Sequence, residues 1–332
     1  MEMNQTFIGI SRPQTGLSLI LRQIRHEANG INSYEFVDPD GEELPPFAAG
    51  AHIDVHLPNG IIRQYSLCNS PAERHRYVIA VLRDEKGRGG SKALHDTLRV
   101  QDIVNVSEPR NNFKLVPDAK KVILLAGGIG MTPLKSMAHA LEAEGVPFEM
   151  HYCARNASCV AFKEQLDTRW EHGTLHFHYD HGDPANGLNI AELLKSPGVG
   201  THVFYCGPAG FMKACADAAS HWPTGTVHFE HFKAPEPENT ATQVAPGAFM
   251  VKIASTGAML EVPADRSIAD VLAEAGVHIE TSCVAGLCAT CKIRYLEGEV
   301  DHRDYILGDE EHGQFLTACV SRATSQVLVL DL

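Results

Sequence analysis

Four cysteines in the last third of this 332-residue chain constrain its fold more than any other feature. Cys283, Cys288 and Cys291 lie within nine residues, and Cys319 follows further on. This C-x4-C-x2-C…C spacing is that of the thiolate ligands of plant-type [2Fe–2S] clusters. Small neighbours such as Gly286 let backbone N–H groups approach the sulfur atoms. The alternatives are a zinc site or buried free cysteines, but zinc sites usually use paired C-x2-C hooks and only one such hook occurs here.

The residues around the cysteines predict a complete small module. A hairpin is expected from Phe249 to Ala254 and from Ala258 to Val262. One short helix with an apolar face follows it, and the cysteine loop comes next. In this order of elements, residues 248–332 resemble plant-type ferredoxins throughout, which implies an α+β fold of the β-grasp type.

Residues 114–232 alternate buried strand patterns with helix patterns, which predicts a doubly wound parallel α/β sheet. Val122 to Ala126 is a continuous apolar strand, and a glycine-rich turn follows it directly. A second strand, His202 to Cys206, also ends at a turn. Two strand-end turns that face one crevice suit a dinucleotide at the carboxyl edge of the sheet. The predicted nucleotide-binding residues are Gly127, Gly128, Gly130, Thr132, Gly207 and Pro208.

Residues 1–113 contain short strand patterns and one helical stretch, Ser91 to Leu98, which predicts an antiparallel β-barrel. Two of its segments offer a basic group, an aromatic ring, hydroxyls and backbone donors, a set that suits a planar ring carrying a phosphate. These residues are Arg63, Tyr65 and Ser66 in the first segment and Gly89, Gly90 and Ser91 in the second. A proline-rich stretch, residues 233–247, is predicted to be the linker to the cysteine module.

The order of these three parts resembles the phthalate dioxygenase reductase family, which includes the vanillate O-demethylase reductases, and the likeness covers essentially the whole chain. The resemblance implies FMN, NADH and a [2Fe–2S] cluster as cofactors. It places the flavin on Arg63, Tyr65 and Ser66, with the backbone from Ala80 to Leu82 along the ring. It also places Phe232 against the flavin and Cys206 near the nicotinamide. Gln64 replaces the small hydroxyl residue expected at its position.

The resemblance further implies a reductase that passes electrons from NADH through FMN and the cluster to a Rieske-type aromatic-ring oxygenase. A reductase for a cytochrome P450 or a diiron monooxygenase is the alternative within this chemistry. A non-catalytic NADH sensor is the alternative outside it. We expect a monomer. We also expect it to be cytoplasmic, because the sequence shows neither a signal peptide nor an apolar run long enough to span a membrane. Nucleic acid is an unlikely partner because the formal net charge is −13.

One motif is typical of a different class of protein, the metal-dependent hydrolases. His176 to His181 reads His-x-His-x-Asp-His, the pattern of metallo-β-lactamase-like hydrolases. Its position between predicted strands of the nucleotide-binding region argues against a metal hydrolase. His95 and His139 are predicted to be ordinary polar groups on helices.

Overall fold

The computed structural model of the protein describes residues 16–235 and 247–332. In these segments the chain forms a six-stranded sheet and two five-stranded sheets in sequence order, with a two-stranded ribbon in the last part. Most of the predicted linker, residues 236–246, lies outside the described residues. No helix in the described segments is both long enough and apolar enough to cross a membrane.

The first sheet is antiparallel and has the strand order β4-β3-β6-β1-β2-β5. Its strands are β1 (Leu17–Ala28), β2 (Ile31–Val37), β3 (His52–His56), β4 (Ile62–Ser66), β5 (Tyr77–Leu82) and β6 (Ile103–Val106), with helix α1 (Gly90–Thr97) between β5 and β6. Just after β4, Leu67 pairs with Ile79 of β5, and this pairing closes the sheet into the predicted barrel. Alternate residues of β1, Leu19 and Leu21, point into the barrel core, as a period-two strand requires.

The second sheet is parallel and has the order β11-β10-β7-β8-β9. Its elements are β7 (Lys121–Gly127), α2 (Met131–Glu144), β8 (Phe148–Ala154), α3 (Lys163–Leu166), β9 (Gly173–Tyr179), α4 (Ile190–Leu194), β10 (Thr201–Cys206), α5 (Ala209–Ala219) and β11 (Val227–Glu230). Residues 122–127 of β7 are buried, which explains their unbroken apolar sequence. Strands β7 and β10 are neighbours at the point where the strand order reverses, and ligands bind at the carboxyl end of such a switch point.

The third sheet is mixed and has the order β13-β12-β18-β14-β16. Its part of the chain contains β12 (Phe249–Ile253), β13 (Met259–Val262), α6 (Ile268–Glu274), β14 (Lys292–Glu297), β15 (Val300–Asp301), α7 (Asp309–His312), β16 (Phe315–Thr317), β17 (Arg322–Ala323) and β18 (Val327–Leu330). Strands β12 and β18 pair in parallel although the sequence separates them widely. Helix α6 begins at a capping box formed by Ser267 and Asp270. The predicted hairpin, helix and cysteine loop are all present, so the α+β prediction is confirmed.

Candidate functional site

The four cysteines converge in one buried cluster. The exposed fractions are 8% for Cys283, 6% for Cys288, 4% for Cys291 and 8% for Cys319. The thiols interact mainly in two pairs, because Cys288 has the largest influence on the pKa of Cys283 and Cys319 has the largest influence on that of Cys291. Gly286, at φ +70°, lets the loop turn so that its N–H donates to the Cys319 sulfur. The Leu287 N–H donates to the Cys283 sulfur over 3.4 Å.

The spacing of the sulfur atoms distinguishes two irons from a single zinc ion. Four thiolates about 2.3 Å from one tetrahedral zinc ion would lie about 3.8 Å from one another. Within residues 16–235 and 247–332, no three of these sulfur atoms lie within 4.8 Å of one another. Two separate pairs instead suit two irons, each with two thiolate ligands. The site therefore fits a [2Fe–2S] cluster.

A cavity of about 1570 Å³ joins the three parts of the chain. The barrel contributes one wall, the cysteine loop contributes another, and the segment after β11 closes the cavity between them. Such a volume exceeds that of most small-ligand pockets and suits a large planar cofactor with space for a second ring beside it. The predicted residues that line the cavity are Arg63, Tyr65, Ser66, Ala80, Leu82, Gly90, Ser91, Thr132 and Phe232.

The cavity wall carries positive charge where a phosphate is expected. Arg63 donates to the Arg88 carbonyl oxygen over 3.1 Å, and both arginines line the cavity. Helix α1 begins here, and Gly89 takes φ +81° just before its first residue. A Cβ on Gly90 would lie 2.5 Å from the Arg63 side chain, so only glycine leaves room for that side chain. Arginine, bare backbone and a helix N-terminus together fit a flavin phosphate.

The two strand-end turns of the parallel sheet touch each other. A Cβ on Gly130 would lie 2.1 Å from the Cys206 carbonyl oxygen, and one on Gly207 would lie 3.0 Å from the Gly127 Cα. The first of these turns reaches the cavity through Ile129 and Thr132, which line its wall. Cys206 is fully buried, and burial raises the pKa of its thiol, which keeps the thiol neutral.

A carboxyl group that the sequence analysis did not identify lies at the end of β11. Glu230 pairs in register with Cys206 on β10, and the Ser66 hydroxyl donates to its carboxylate over 3.3 Å. Burial raises the pKa of the Glu230 carboxyl to about 7. Strand β11 has only four residues. A pattern of four residues is too short for the sequence alone to place Glu230 beside the flavin-binding barrel.

The barrel holds the cysteine loop at three points. Ser282 donates to Asp54 over 2.8 Å, and both side chains are buried. Arg88 donates to the Cys283 carbonyl oxygen over 3.1 Å, and Asn112 donates to the Cys288 carbonyl oxygen over 3.4 Å. These contacts fix the cluster loop against the wall of the cavity.

Asp54 is the centre of a polar network that the sequence did not predict. Its Oδ1 atom lies 2.7 Å from the Arg110 guanidinium and accepts from Gln64 over 3.2 Å. Burial opposes ionisation of Asp54, but Arg110 and the other donors outweigh it and lower the pKa of the carboxyl. Gln64, which departs from the family pattern, is thus bonded within this network.

The histidine motif does not form a metal site. His176 and His178 lie on β9, but His178 bonds to His151 of β8 over 3.0 Å, and His181 lies exposed in the next turn. Among the described residues, these side chains do not bring three ligand atoms within 4.8 Å of one another. His95 is hydrogen-bonded to the Val81 carbonyl oxygen over 2.9 Å, as an ordinary polar group would be.

Comparison with known proteins agrees with this geometry. The chain matches the 2Fe-2S iron-sulfur cluster binding domain over residues 251–324 and the oxidoreductase NAD-binding domain over residues 124–217. It is 52% identical over 327 residues to the tert-butanol monooxygenase / tert-amyl alcohol desaturase reductase subunit of Aquincola tertiaricarbonis, covering 96% of this chain and 97% of that one. It is 46% identical over 321 residues to the vanillate O-demethylase oxidoreductase of Pseudomonas sp. (strain HR199 / DSM 7063), covering 95% and 100%.

Two solved structures share the fold over nearly the whole chain. Phthalate dioxygenase reductase, described as a modular structure for electron transfer from pyridine nucleotides to [2Fe–2S], is 44% identical with a TM-score of 0.72 and covers 96% of this chain and 98% of its own. An intact type IV self-sufficient cytochrome P450 monooxygenase is 34% identical with a TM-score of 0.84, covering 98% of this chain but 42% of its own.

Fold and site together define an NADH-dependent iron–sulfur oxidoreductase with a flavin-binding barrel. Its cofactors are FMN, NADH and a [2Fe–2S] cluster. The chain belongs to the phthalate dioxygenase reductase family and is the reductase component of an oxygenase system. The metal-hydrolase and sensor alternatives are therefore wrong.

Proposed function

We propose that this reductase delivers electrons to a Rieske-type aromatic-ring oxygenase. The relatives named for vanillate O-demethylase and phthalate dioxygenase support this choice of acceptor. The observation that carries the electron path is the cavity that Tyr65, Phe232 and the Cys283 loop share. The chemistry that the cofactors supply when bound is hydride acceptance at the flavin and single-electron transfer at the cluster. The contribution of the chain is to hold these groups close together and in a fixed orientation.

We propose the following roles for the residues of this cavity. Arg63, Ser66 and the backbone at residues 89–91 bind the flavin phosphate and ribityl chain, while Tyr65 and the backbone from Ala80 to Leu82 line the ring. Phe232 covers the flavin face that the nicotinamide must reach. It is 39% exposed at the edge of the cavity, which leaves it free to move aside.

In the parallel sheet, the turn residues bind the dinucleotide, and Cys206 lies beneath the nicotinamide. These turn residues are Gly127, Gly128, Gly130, Thr132, Gly207 and Pro208. In the last part of the chain, the loop residues Cys283, Cys288, Cys291 and Cys319 ligate the cluster. Contact between the two turns supports the first assignment, and the paired sulfur atoms support the second.

The same proposal includes the organisation of the chain. We assign residues 1–113 to the FMN barrel, 114–232 to the NAD domain, 233–247 to the linker and 248–332 to the ferredoxin domain. We also propose that the protein is a cytoplasmic monomer. The three separate sheets support these divisions, with the breaks falling between β6 and β7 and between β11 and β12.

A cytochrome P450 is the second candidate for the electron acceptor. The likeness to the reductase portion of a self-sufficient P450, with a TM-score of 0.84, favours it. The relatives do not identify the substrate of the partner oxygenase, since one relative is named for tert-butanol and another for vanillate. A diiron monooxygenase has no comparable observation in its favour.

The proposal is tested by comparing the rates at which the two acceptors are reduced. Holoprotein reduced with NADH is mixed anaerobically, in separate stopped-flow experiments, with a Rieske oxygenase of the phthalate type and with a substrate-bound bacterial P450. We expect rapid reduction of the Rieske centre and slow reduction of the haem. The Cys288→Ser variant is the control, because it removes one cluster ligand and should reduce neither. Faster reduction of the haem would overturn the Rieske assignment.

A further inference from the structure

Three metal-ligating side chains lie together outside the cysteine cluster. His302 follows β15, Asp304 lies in the next loop, and His312 is the last residue of α7. One ligand atom from each residue lies within 4.8 Å of the other two. In the part of the chain that the structure describes, this is the one group of three histidine, cysteine or carboxylate side chains that meets that distance.

The Asp304 carboxylate is fixed in position before any ligand binds. Its side chain is completely buried, and its Oδ1 atom accepts from the Leu307 N–H over 2.8 Å. Its Oδ2 atom lies 3.3 Å from Nε2 of His312. Two ligands that are each 2.0–2.1 Å from a tetrahedral zinc ion are separated by about 3.3 Å. In the metal-free protein this separation is that of a hydrogen bond between His312 and Asp304, and a zinc ion would take the place of the shared proton at nearly the same spacing.

The His302 imidazole supplies an unused ligand atom. Its ring stacks on that of His312 with the centroids 4.0 Å apart. Its Nδ1 atom is buried and has no hydrogen-bond partner among the described residues. A buried polar atom without a partner is uncommon in folded proteins.

We propose that His302, Asp304 and His312 form a binding site for a divalent transition-metal ion of the zinc type. Two imidazoles and one carboxylate are a set of protein ligands that zinc takes when its fourth position is open. The His312 side chain is 24% exposed, and His302 borders the large cavity, so an ion can enter.

The site is attached to the cluster loop. The Tyr305 N–H donates to the Gly286 carbonyl oxygen over 3.0 Å. A Cβ on Gly286 would lie 3.0 Å from the Asp304 Cα, so the two segments are in direct backbone contact. A cation held by Asp304 adds positive charge beside the cluster, and nearby positive charge favours the reduced cluster. We therefore expect metal binding to raise the reduction potential of the cluster.

Zinc titration of the holoprotein against a chromophoric chelator tests the site. We expect the wild type to bind one zinc ion per chain, and His302→Asn and His312→Gln each to weaken binding about 10-fold or more. His176→Gln is the matched control, because it alters the separate cluster of stacked imidazoles on β8 and β9. Unchanged flavin and cluster absorption shows that each variant is folded. Absence of stoichiometric binding, or a loss confined to His176→Gln, would overturn the proposal.

A redox titration with and without zinc tests the link to the cluster. The potential of the wild-type cluster should shift upward when zinc is added, and that of His302→Asn should shift much less at the same zinc concentration. An equal shift in both proteins would show that the ion acts from another place and would overturn the assignment. No shift in a zinc-bound wild type would overturn the link.

Discussion

The hydrogen bond from Ser282 to Asp54 should hold the cluster loop on the barrel, and Ser282→Ala removes that bond alone. The two residues are each 5% exposed, and the bonded side-chain oxygen atoms are 2.8 Å apart. Asp54 keeps its contacts with Arg110 and Gln64 in the variant, so no buried charge is left without a partner. A hydrogen bond to a charged group contributes about 1.5 kcal/mol, which corresponds to about a tenfold larger population of the separated state.

Hydrogen exchange measures this population directly. Amides of the cluster loop that exchange only when the loop leaves the barrel should exchange about tenfold faster in Ser282→Ala holoprotein, because their exchange follows the opening equilibrium. Ser325→Ala is the control, since Ser325 bonds to Val327 within the ferredoxin part of the chain. The rate of flavin reduction by NADH should be the same in the wild type, Ser282→Ala and Ser325→Ala.

Two results would refute this reasoning. One is an unchanged exchange rate in Ser282→Ala, and the other is equal acceleration by Ser325→Ala. A double-mutant cycle with Asp54→Asn isolates the pair, and we expect a coupling free energy of about 1 kcal/mol. A coupling near zero would mean that the contacts of Arg88 and Asn112 hold the loop without help from this pair.

Three further predictions concern the other parts of the site. Cys288→Ser should lose the cluster but keep the flavin, so NADH-driven ferricyanide reduction should persist while cytochrome c reduction is lost. Because burial raises the pKa of Glu230 to about 7 from 4.5, the folded protein holds a proton that the unfolded chain releases between these values. The stability of the wild type should therefore fall from pH 4.5 to 7 and then level off, whereas thermal denaturation of Glu230→Gln should lack this slope. NADH should be preferred over NADPH by at least about 10-fold in kcat/KM, because Arg155 alone follows β8 and a 2′-phosphate needs a fuller basic site.

Each of these predictions has a clear contrary result. Equal loss of both acceptor activities in Cys288→Ser would contradict a linear electron path through the cluster. Parallel stability profiles for wild type and Glu230→Gln would mean that Glu230 is not protonated in the folded protein. Equal rates with NADH and NADPH would mean that Arg155 binds the 2′-phosphate of NADPH.

The local sequence predicted the strands, the helices and the cysteine loop, because each is specified by a pattern of residues that are close together in the chain. The run Val122 to Ala126 reads as a buried strand by itself, and the cysteine spacing specifies a ligand loop without any knowledge of the rest of the chain. The helix predicted from Ser91 to Leu98 is α1, shifted by one residue, because helix boundaries depend on caps that a pattern does not show. The order of the three parts then identified the family.

Tertiary structure decided which residues meet across these parts. Ser66 and Glu230 lie on different sheets, Asp54 lies on a strand of the barrel and Ser282 lies in the cysteine loop, and no periodicity links residues so far apart. His302, Asp304 and His312 are close in sequence, but only the folded loop and helix turn them toward one another. Each of these contacts joins polar groups that only the folded chain brings within reach of one another. The sequence therefore determined the elements and the cluster ligands, while tertiary packing, between domains and within the last one, decided which polar groups became partners.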